Sequence, residues 1–521
     1  MSLAAPFAIP FDTSLLLIGG EWRRARWCVG PLHRSRARPG AAGRCRILGA
    51  IGRKVLERVE LLAHLEALDV GKPLKQGRAD AVALARYLEF YGGAADKVHG
   101  DTLPFQAGFT ALALREPHGV TGPIVPWIYP MQIVGRSVGT ALAMGNACVL
   151  KPAEEACLTV LALAHIALEC GLPAGALNVV TGLGEEAGAA LAAHPQVRHI
   201  SFTGSVATGA LVQAAAAKNA VPVTLELGGK SPQIVFADAD LDAARPSLVN
   251  AGIQNAGQTC SAASRVLEHY LALAHDSGLR IAAQAGLPAD LPARGHCVRP
   301  TLFDDVPADH AFAQQEIFGP VQVLIAFEGE GEALRIANDT AFGLVAGVWT
   351  RDGGRQMRMA HALKCGQVFI DNYGAGGGVE LPFGGVKLSG HGREKGFEAR
   401  YGDCSAPADQ FHTIKLYAAD RKCVERGTSP IRSGWQLRCR SRARATPRHA
   451  TPRHAAPRRA VGQRDGRNDE VDDLQQGVPC RYKVSVPSMQ ATEWPPIHRS
   501  VPTWSTCTRP ARPSAVPWLA T

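Results

Sequence analysis

The chain has 521 residues, 46% of them hydrophobic, 20% charged and only 6% aromatic, with 55 Gly. That composition admits two or three packed domains and argues against an aromatic nucleic-acid platform. The net charge of +10 is uneven: residues 421–521 hold 19 Lys and Arg against 7 Asp and Glu, and residues 1–420 hold 37 against 39. The basic character belongs to the last hundred residues, so it does not make the body a nucleic-acid binder.

The first twenty residues, MSLAAPFAIPFDTSLLLIGG, have no basic start, and Pro10 and Asp12 interrupt their apolar run. They do not read as a signal peptide, and no stretch is long and clean enough to span a bilayer. Thirteen Cys show no paired C-x-x-C framework, which fits reduced thiols in a cytoplasm; no metal is expected. Residues 21–40 hold six Arg and no strand or helix period. Residues 54–97 read as two helices separated by the turn DVGKP, and residues 101–117 as a projecting β-hairpin.

From about 119 to 236, short β-rich runs (GVTGPIVPW, NACVLKP, LNVVTG, VRHISFTG, VPVTLELGG, PQIVF) alternate with Ala/Leu-rich helical stretches such as EEACLTVLALAHIALECG and SVATGALVQAAAAKNA. Such alternation implies a parallel sheet covered by helices on both faces, with ligands at the carboxyl ends of its strands. A second α/β stretch runs from about 231 to 385 and closes with YGAGGGVELPFGG. From about 404 the texture changes, and the repeated ATPRH and missing hydrophobic period predict disorder over most of 418–521.

Four short motifs could carry chemistry. In KPAE, Lys151 and Glu154 follow a strand and could bracket a ribose diol, or simply form a surface ion pair. Glu154 would repel a 2′-phosphate. In FTGSVATG, Gly204 and Ser205 lead a strand into a helix whose free N–H groups suit a pyrophosphate, although glycine turns before helices are common. In LELGGKSP, Glu226 lies between Leu225 and Leu227, where partial desolvation raises a carboxyl towards a useful general base; a salt-bridged structural role is the alternative. In QNAGQTC, Cys260 is a nucleophile or a small buried hydrophobe.

Taken in order, TLELGGKSP, then NAGQTC, then EIFGP and LPFGG, the chain closely resembles the aldehyde dehydrogenase superfamily over roughly residues 50–400. The resemblance implies an α/β fold with a parallel Rossmann-type cofactor domain, an α/β catalytic domain and a β-hairpin oligomerisation arm. It divides the chain into an NAD-binding domain (1–100 and 118–227), a catalytic domain (228–396), an arm (101–117 and about 397–417) and a basic tail (418–521). It implies oxidation of an aldehyde to a carboxylic acid with NAD, rather than NADP, as cofactor. Cys260 matches the nucleophile, Glu226 the base that activates the hydrolytic water, and Glu394 a second glutamate of a proton relay. Trp127, Lys151, Glu154, Gly204, Ser205, Glu316 and Phe318 match cofactor contacts. The partners implied are an aldehyde and further copies of the chain, as a homodimer or homotetramer. Because a free thiol is only a few per cent ionised at pH 7, the site is expected to favour the thiolate.

The chain departs from the family pattern in four places. PWIYP has Ile128 where the family's Asn donates to the developing oxyanion, which points to a catalytically impaired homologue as the alternative. After SRVL, which ends at Leu267, a piece of the catalytic domain is expected to be missing. Residues 21–40 are expected to lack the family's strand pair, and the chain beyond 402 to lack its last strand. Frame changes or deletions in the coding sequence would produce such breaks.

Overall fold

The computed structural model describes residues 9, 11–12, 15–24, 39–104, 110–262, 279–287, 297–374, 378–402, 404–405 and 417–419. The chain divides into two compact units, Thr13–Tyr482 and the two ends Met1–Asp12 with Lys483–Thr521. All elements below belong to Thr13–Tyr482.

The β-rich runs between 119 and 226 form the centre of an eight-stranded sheet. From edge to edge its strands are Gly390–His391, Val223–Glu226, His199–Thr203, Val120–Ile124, Ala147–Leu150, Leu177–Val179, Leu15–Ile18 and Glu21–Arg24. The five from Val223–Glu226 to Leu177–Val179 are mutually parallel, and the outer ones are antiparallel. Four of the five are buried along their whole length, as a sheet covered on both faces requires, and only Asn178 of the fifth is partly open. On one face Val120, Ile124, Phe202 and Leu225 pack against Val212 and Ala216 of the helix Val206–Ala217.

PQIVF belongs to a second sheet. Gln233–Val235, Val345–Trp349, Gln367–Ile370 and Tyr417–Ala419 are all parallel. A third sheet joins Arg280–Gln284, Thr301–Asp304 and Val321–Val323. The hairpin strands Asp101–Leu103 and Ala111–Ala113 pair antiparallel, and Leu103, Leu112 and Leu114 beside them are exposed.

Two expectations are corrected. At the start of the Arg-rich stretch 21–40, of which residues 25–38 lie outside the described residues, a strand pair is present: Gly19 and Gly20 adopt φ of +62° and +86° and close a two-residue hairpin between Leu15–Ile18 and Glu21–Arg24. The arginines of that region hid it from a composition reading. The helical region starts earlier and holds three helices, Ala41–Glu57, Val59–Val70 and Leu74–Ala94. Gly71, at φ +69° within DVGKP, ends the second. Strand pairing also continues past 402: Cys404–Ser405 pairs with Glu116–Pro117, and Tyr417–Ala419 completes the second sheet. The break after Leu267 and the tail from 420 onward lie outside the described residues.

Candidate active site

The site forms where the first sheet hands the chain to the second. Glu226 is the last residue of the outermost of the five parallel strands; Gly228 and Gly229 turn the chain towards Gln233. Helix Leu241–Ile253 then delivers the loop carrying Cys260. In that loop Asn255, Ala256 and Gly257 are consecutively left-handed, at φ of 51°, 57° and 72°. Two non-glycine residues in that region mark a backbone held by its surroundings. A Cβ on Gly257 would lie 2.2 Å from the Gly319 carbonyl oxygen, so a glycine is needed where this loop meets EIFGP.

Side chains fasten the loop to the turn carrying Ile128. Asn255 Nδ2 donates to the Gln258 carbonyl at 2.9 Å and to the Ile128 carbonyl at 3.4 Å, and Gln254 Nε2 donates to Tyr129 Oη at 3.2 Å. Ile128 itself is buried and offers no side-chain donor. Cys260 packs against Leu344, Val345, Phe369 and Phe383, with Tyr373 alongside. Tyr373 Oη donates a short bond to the Ser261 carbonyl.

Burial pushes the Cys260 thiol up to about 12; Arg136 opposes this, while Glu316 and Glu226 add to it. The expectation that the surroundings favour the thiolate is therefore reversed, because desolvation outweighs the nearby cation. Glu226 is 2% exposed, and neither carboxyl oxygen has a hydrogen-bond partner. Burial, then the Glu394 charge, raises its pKa well above the usual carboxylate range against the pull of Arg136, Arg393 and Lys395. Its desolvation is thus nearly complete, not partial, and no salt bridge holds it.

Glu394 sits differently. Its carboxylate forms a close ion pair with Arg136 Nε and accepts from Ser201 Oγ at 2.5 Å. Burial opposes the Arg136 charge, but Glu394 and Glu226 outweigh it and raise the guanidinium further above its ordinary range. Arg136 lies on the helix Pro130–Ala143, where every residue except Gln132 is buried. It was passed over in the sequence, although a lone cation in MQIVGRSVGTALA is a visible signal. Lys395, equally passed over, is 2% exposed and takes a left-handed φ of 64°. Burial and then Arg136 lower its ammonium to about 7.

The cofactor candidates line neighbouring strand ends. Lys151 Nζ donates to Glu154 Oε2 at 2.7 Å, and this bond, helped by the backbone N–H groups of Glu154 and Gly184, holds Glu154's carboxyl below its ordinary range against desolvation. Of the alternatives for KPAE, the ion pair is formed, at a strand end. Ser205 caps the helix Val206–Ala217, its Oγ accepting from Thr208 N at 3.1 Å. A Cβ on Gly204 would lie 2.5 Å from the Phe202 ring, so the backbone leading to that cap must stay bare. Trp127 and Phe318 meet edge to face at 5.7 Å, and Glu316 Oε1 accepts from Gly229 N at 3.0 Å. The catalytic candidates and Glu316 thus converge on one cluster, while Lys151, Glu154, Gly204 and Ser205 form a separate row of strand ends.

Among the described residues no helix is long and apolar enough to cross a membrane, and seven cysteines are free. The model of the aldehyde dehydrogenase family matches residues 35–270 and 267–403, so the match is interrupted at the predicted break and stops at 403. The chain is 38% identical over 405 residues to a hydroxyisobutyraldehyde dehydrogenase of Mycolicibacterium austroafricanum, covering 70% of this chain and 80% of that one. It is 36% identical over 434 residues to the Escherichia coli NADP/NAD-dependent aldehyde dehydrogenase PuuC, covering 75% and 86%. A solved aldehyde dehydrogenase structure from Burkholderia cenocepacia superposes with a TM-score of 0.72 at 53% identity, covering 75% of this chain and 98% of that one. An NAD+ complex of a Bacillus cereus aldehyde dehydrogenase gives a TM-score of 0.71 at 31% identity, covering 76% and 96%.

Proposed function

This chain belongs to the aldehyde dehydrogenase family, and from that premise we propose that it oxidises an aldehyde to the carboxylic acid through a thioester on Cys260, with NAD as hydride acceptor. The observation that carries this reading is the convergence of Cys260, Glu226, Arg136 and Glu394 at the hinge between the two sheets. Lys151 and Glu154 would hold the adenosine ribose, Gly204 and Ser205 the pyrophosphate, and Glu316 with Phe318 and Trp127 the nicotinamide end. Glu154's carboxylate disfavours a 2′-phosphate, hence NAD over NADP. The bound nicotinamide supplies an acceptor for the hydride leaving the substrate carbon.

The chain's own residues do the remaining work. Cys260 gives its proton up to solvent, its thiolate Sγ bonds to the aldehyde carbon, and the carbonyl π pair moves to oxygen, giving a tetrahedral oxyanion adduct. Loss of hydride leaves the thioester. A water then adds to the thioester carbonyl, Glu226 takes its proton, and the C–S bond breaks to release the acid and restore the thiol. Glu226 must first release the proton that burial keeps on it. The Glu394 carboxylate, held by Arg136 and Ser201 and acting on Glu226, is the group placed to receive it.

A second reading, a homologue that turns over slowly, is favoured by buried Ile128. With only backbone donors for the oxyanion, about 10²–10³ in rate is lost. The test is NADH formation over an aldehyde panel by wild type and Ile128→Asn. We expect turnover to rise in the Asn form by about 10²-fold or more; equal rates in both would discard the oxyanion argument, and absence of turnover in both would discard the dehydrogenase reading. The exposed leucines of the hairpin arm and its pairing with Cys404–Ser405 support a homodimer or homotetramer, and the free thiols support a cytoplasmic location.

A further inference from the structure

Cys260 rides on a turn whose carbonyls are held one by one. Ala262 N donates to the Thr259 carbonyl at 2.9 Å, which closes a turn with Cys260 and Ser261 at its centre. The Cys260 carbonyl lies against Gly229, where a Cβ would come within 2.6 Å of its oxygen. The Ser261 carbonyl accepts from Tyr373 Oη. The peptide between Ser261 and Ala262 is therefore gripped at both ends, its oxygen by the phenol and its nitrogen by Thr259. Within the turn the Ser261 N–H bonds to the Cys260 sulfur and pulls the thiol's pKa down against burial.

Tyr373 is itself aimed by the fold. It follows the strand Gln367–Ile370, after which Asp371 takes a left-handed φ of 48°. That conformation is held from three sides: Asp371 N donates to the Val348 carbonyl at 2.9 Å, Oδ1 accepts from Thr350 N at 3.1 Å, and Oδ2 accepts from Gln356 Nε2 at 2.9 Å. Asn372 Oδ1 then accepts from Tyr373 N at 2.7 Å. The Tyr373 ring packs on Phe369, with 5.9 Å between centroids, and touches both the apolar cluster around Cys260 and the one around Trp349. Its hydroxyl is thus ordered before any substrate arrives.

We propose that Tyr373 is a positioning residue for Cys260: its hydroxyl holds the Ser261–Ala262 peptide, and through it the turn that keeps the Ser261 N–H on the sulfur. This rests on Cys260 being the nucleophile. Ile128 raises the demand on the turn, because with no side-chain donor there the backbone is left to meet the oxyanion and must be fixed beforehand.

The test needs no turnover. Full-length wild type and Tyr373→Phe are alkylated with iodoacetamide at pH 9, and the rate at each thiol is followed by peptide mass spectrometry. The Phe form keeps the ring and loses only the hydroxyl. We expect the rate at Cys260 to fall by about tenfold, the worth of one hydrogen bond to a charged sulfur, and the rates at the other thiols to stay as they were. A hydroxyl with a merely structural role would loosen the turn on removal and leave Cys260 reacting equally fast or faster; either result in the folded variant overturns the proposal. Wild type alone gives a second measurement. Amide hydrogen exchange at Ala262 is expected to be about 100-fold or more slower than in the free peptide QTCSAA; exchange at the peptide's rate means the turn is not held, and overturns the proposal whether or not the variant folds. Labelling of other thiols while Cys260 resists in wild type overturns the nucleophile assignment and this inference with it. Labelling of Cys260 at one rate in both forms overturns this inference alone.

Discussion

Two buried charged clusters lie one helical turn apart on the helix Pro130–Ala143, and they are built oppositely. At Gln132 the cluster is nearly closed: Lys72 Nζ donates to Glu66 Oε1 and Asp80 Oδ2, both at 2.6 Å, Gln132 Nε2 and Gln76 Nε2 reach Asp80 Oδ1 at 2.6 and 2.8 Å, and of the four carboxyl oxygens only Glu66 Oε2 lacks a hydrogen bond. Lys72 also lies 4.4 Å from the centroid of the Tyr129 ring, directly behind the turn that carries Ile128. At Arg136, four residues on, the cluster is open: Glu394 is engaged, but Glu226 has no hydrogen bond on either oxygen and Cys260 is half-buried, its thiol pushed up by desolvation. The closed cluster pins three helices and the turn. Both hold a carboxyl raised by burial, Glu66 to about 8 and Glu226 well above the usual range, but only Glu226 lacks a hydrogen bond on both oxygens. A buried polar network rigidifies when satisfied and is reactive when it is not.

The sharpest way to break this comparison is to open the closed cluster. Lys72→Met leaves Glu66 and Asp80 buried without their cation and is expected to cost about 3–5 kcal/mol of stability. The urea unfolding midpoint reads this, and a loss below about 1 kcal/mol would mean the two clusters are not different in kind.

Neutralising the open cluster should do the reverse. Glu226 binds its proton more tightly folded than unfolded, so its contribution to stability is complete in acid and is lost as pH rises above the ordinary carboxylate range. Glu226→Gln removes that loss. Its stability relative to wild type should therefore grow between pH 5 and pH 8, by up to about 1.4 kcal/mol per pH unit. Parallel pH–stability curves for the two proteins would show that Glu226 is ionised in the folded state.

The smallest effect is at the thiol. With its pKa pushed up to about 12, alkylation of Cys260 by iodoacetamide should rise about tenfold per pH unit from pH 7 to pH 9 with no plateau. A plateau below pH 9 would place a stabilised thiolate in the resting site and make the open cluster resemble the closed one.

The central architecture was legible in the sequence because its signals are local. Buried parallel strands read as apolar runs, helices end at Gly171 and Asn219, and Ser205 announces a helix start. The catalytic candidates were legible because their motifs are contiguous around Cys260, Glu226 and Glu394. The hairpin Leu15–Arg24 was not, because two glycines set it while its arginines dominated the composition. Arg136 and Lys395 were not, because each looks like an ordinary cation until a distant segment closes over it: Phe383 and Glu394 for the first, Phe383 for the second.

The sequence by itself therefore determined the strand–helix alternation, the family and the candidates for reacting groups, since periodicity and short motifs are properties of neighbouring residues. Only the tertiary structure decided their charge states. Whether Glu226 holds a proton, Cys260 is a thiol or Lys395 is half-charged depends on how much water and which opposite charges reach each group. Those neighbours come from segments that are separate in the chain, and desolvation by them outweighs the intrinsic preference of each side chain.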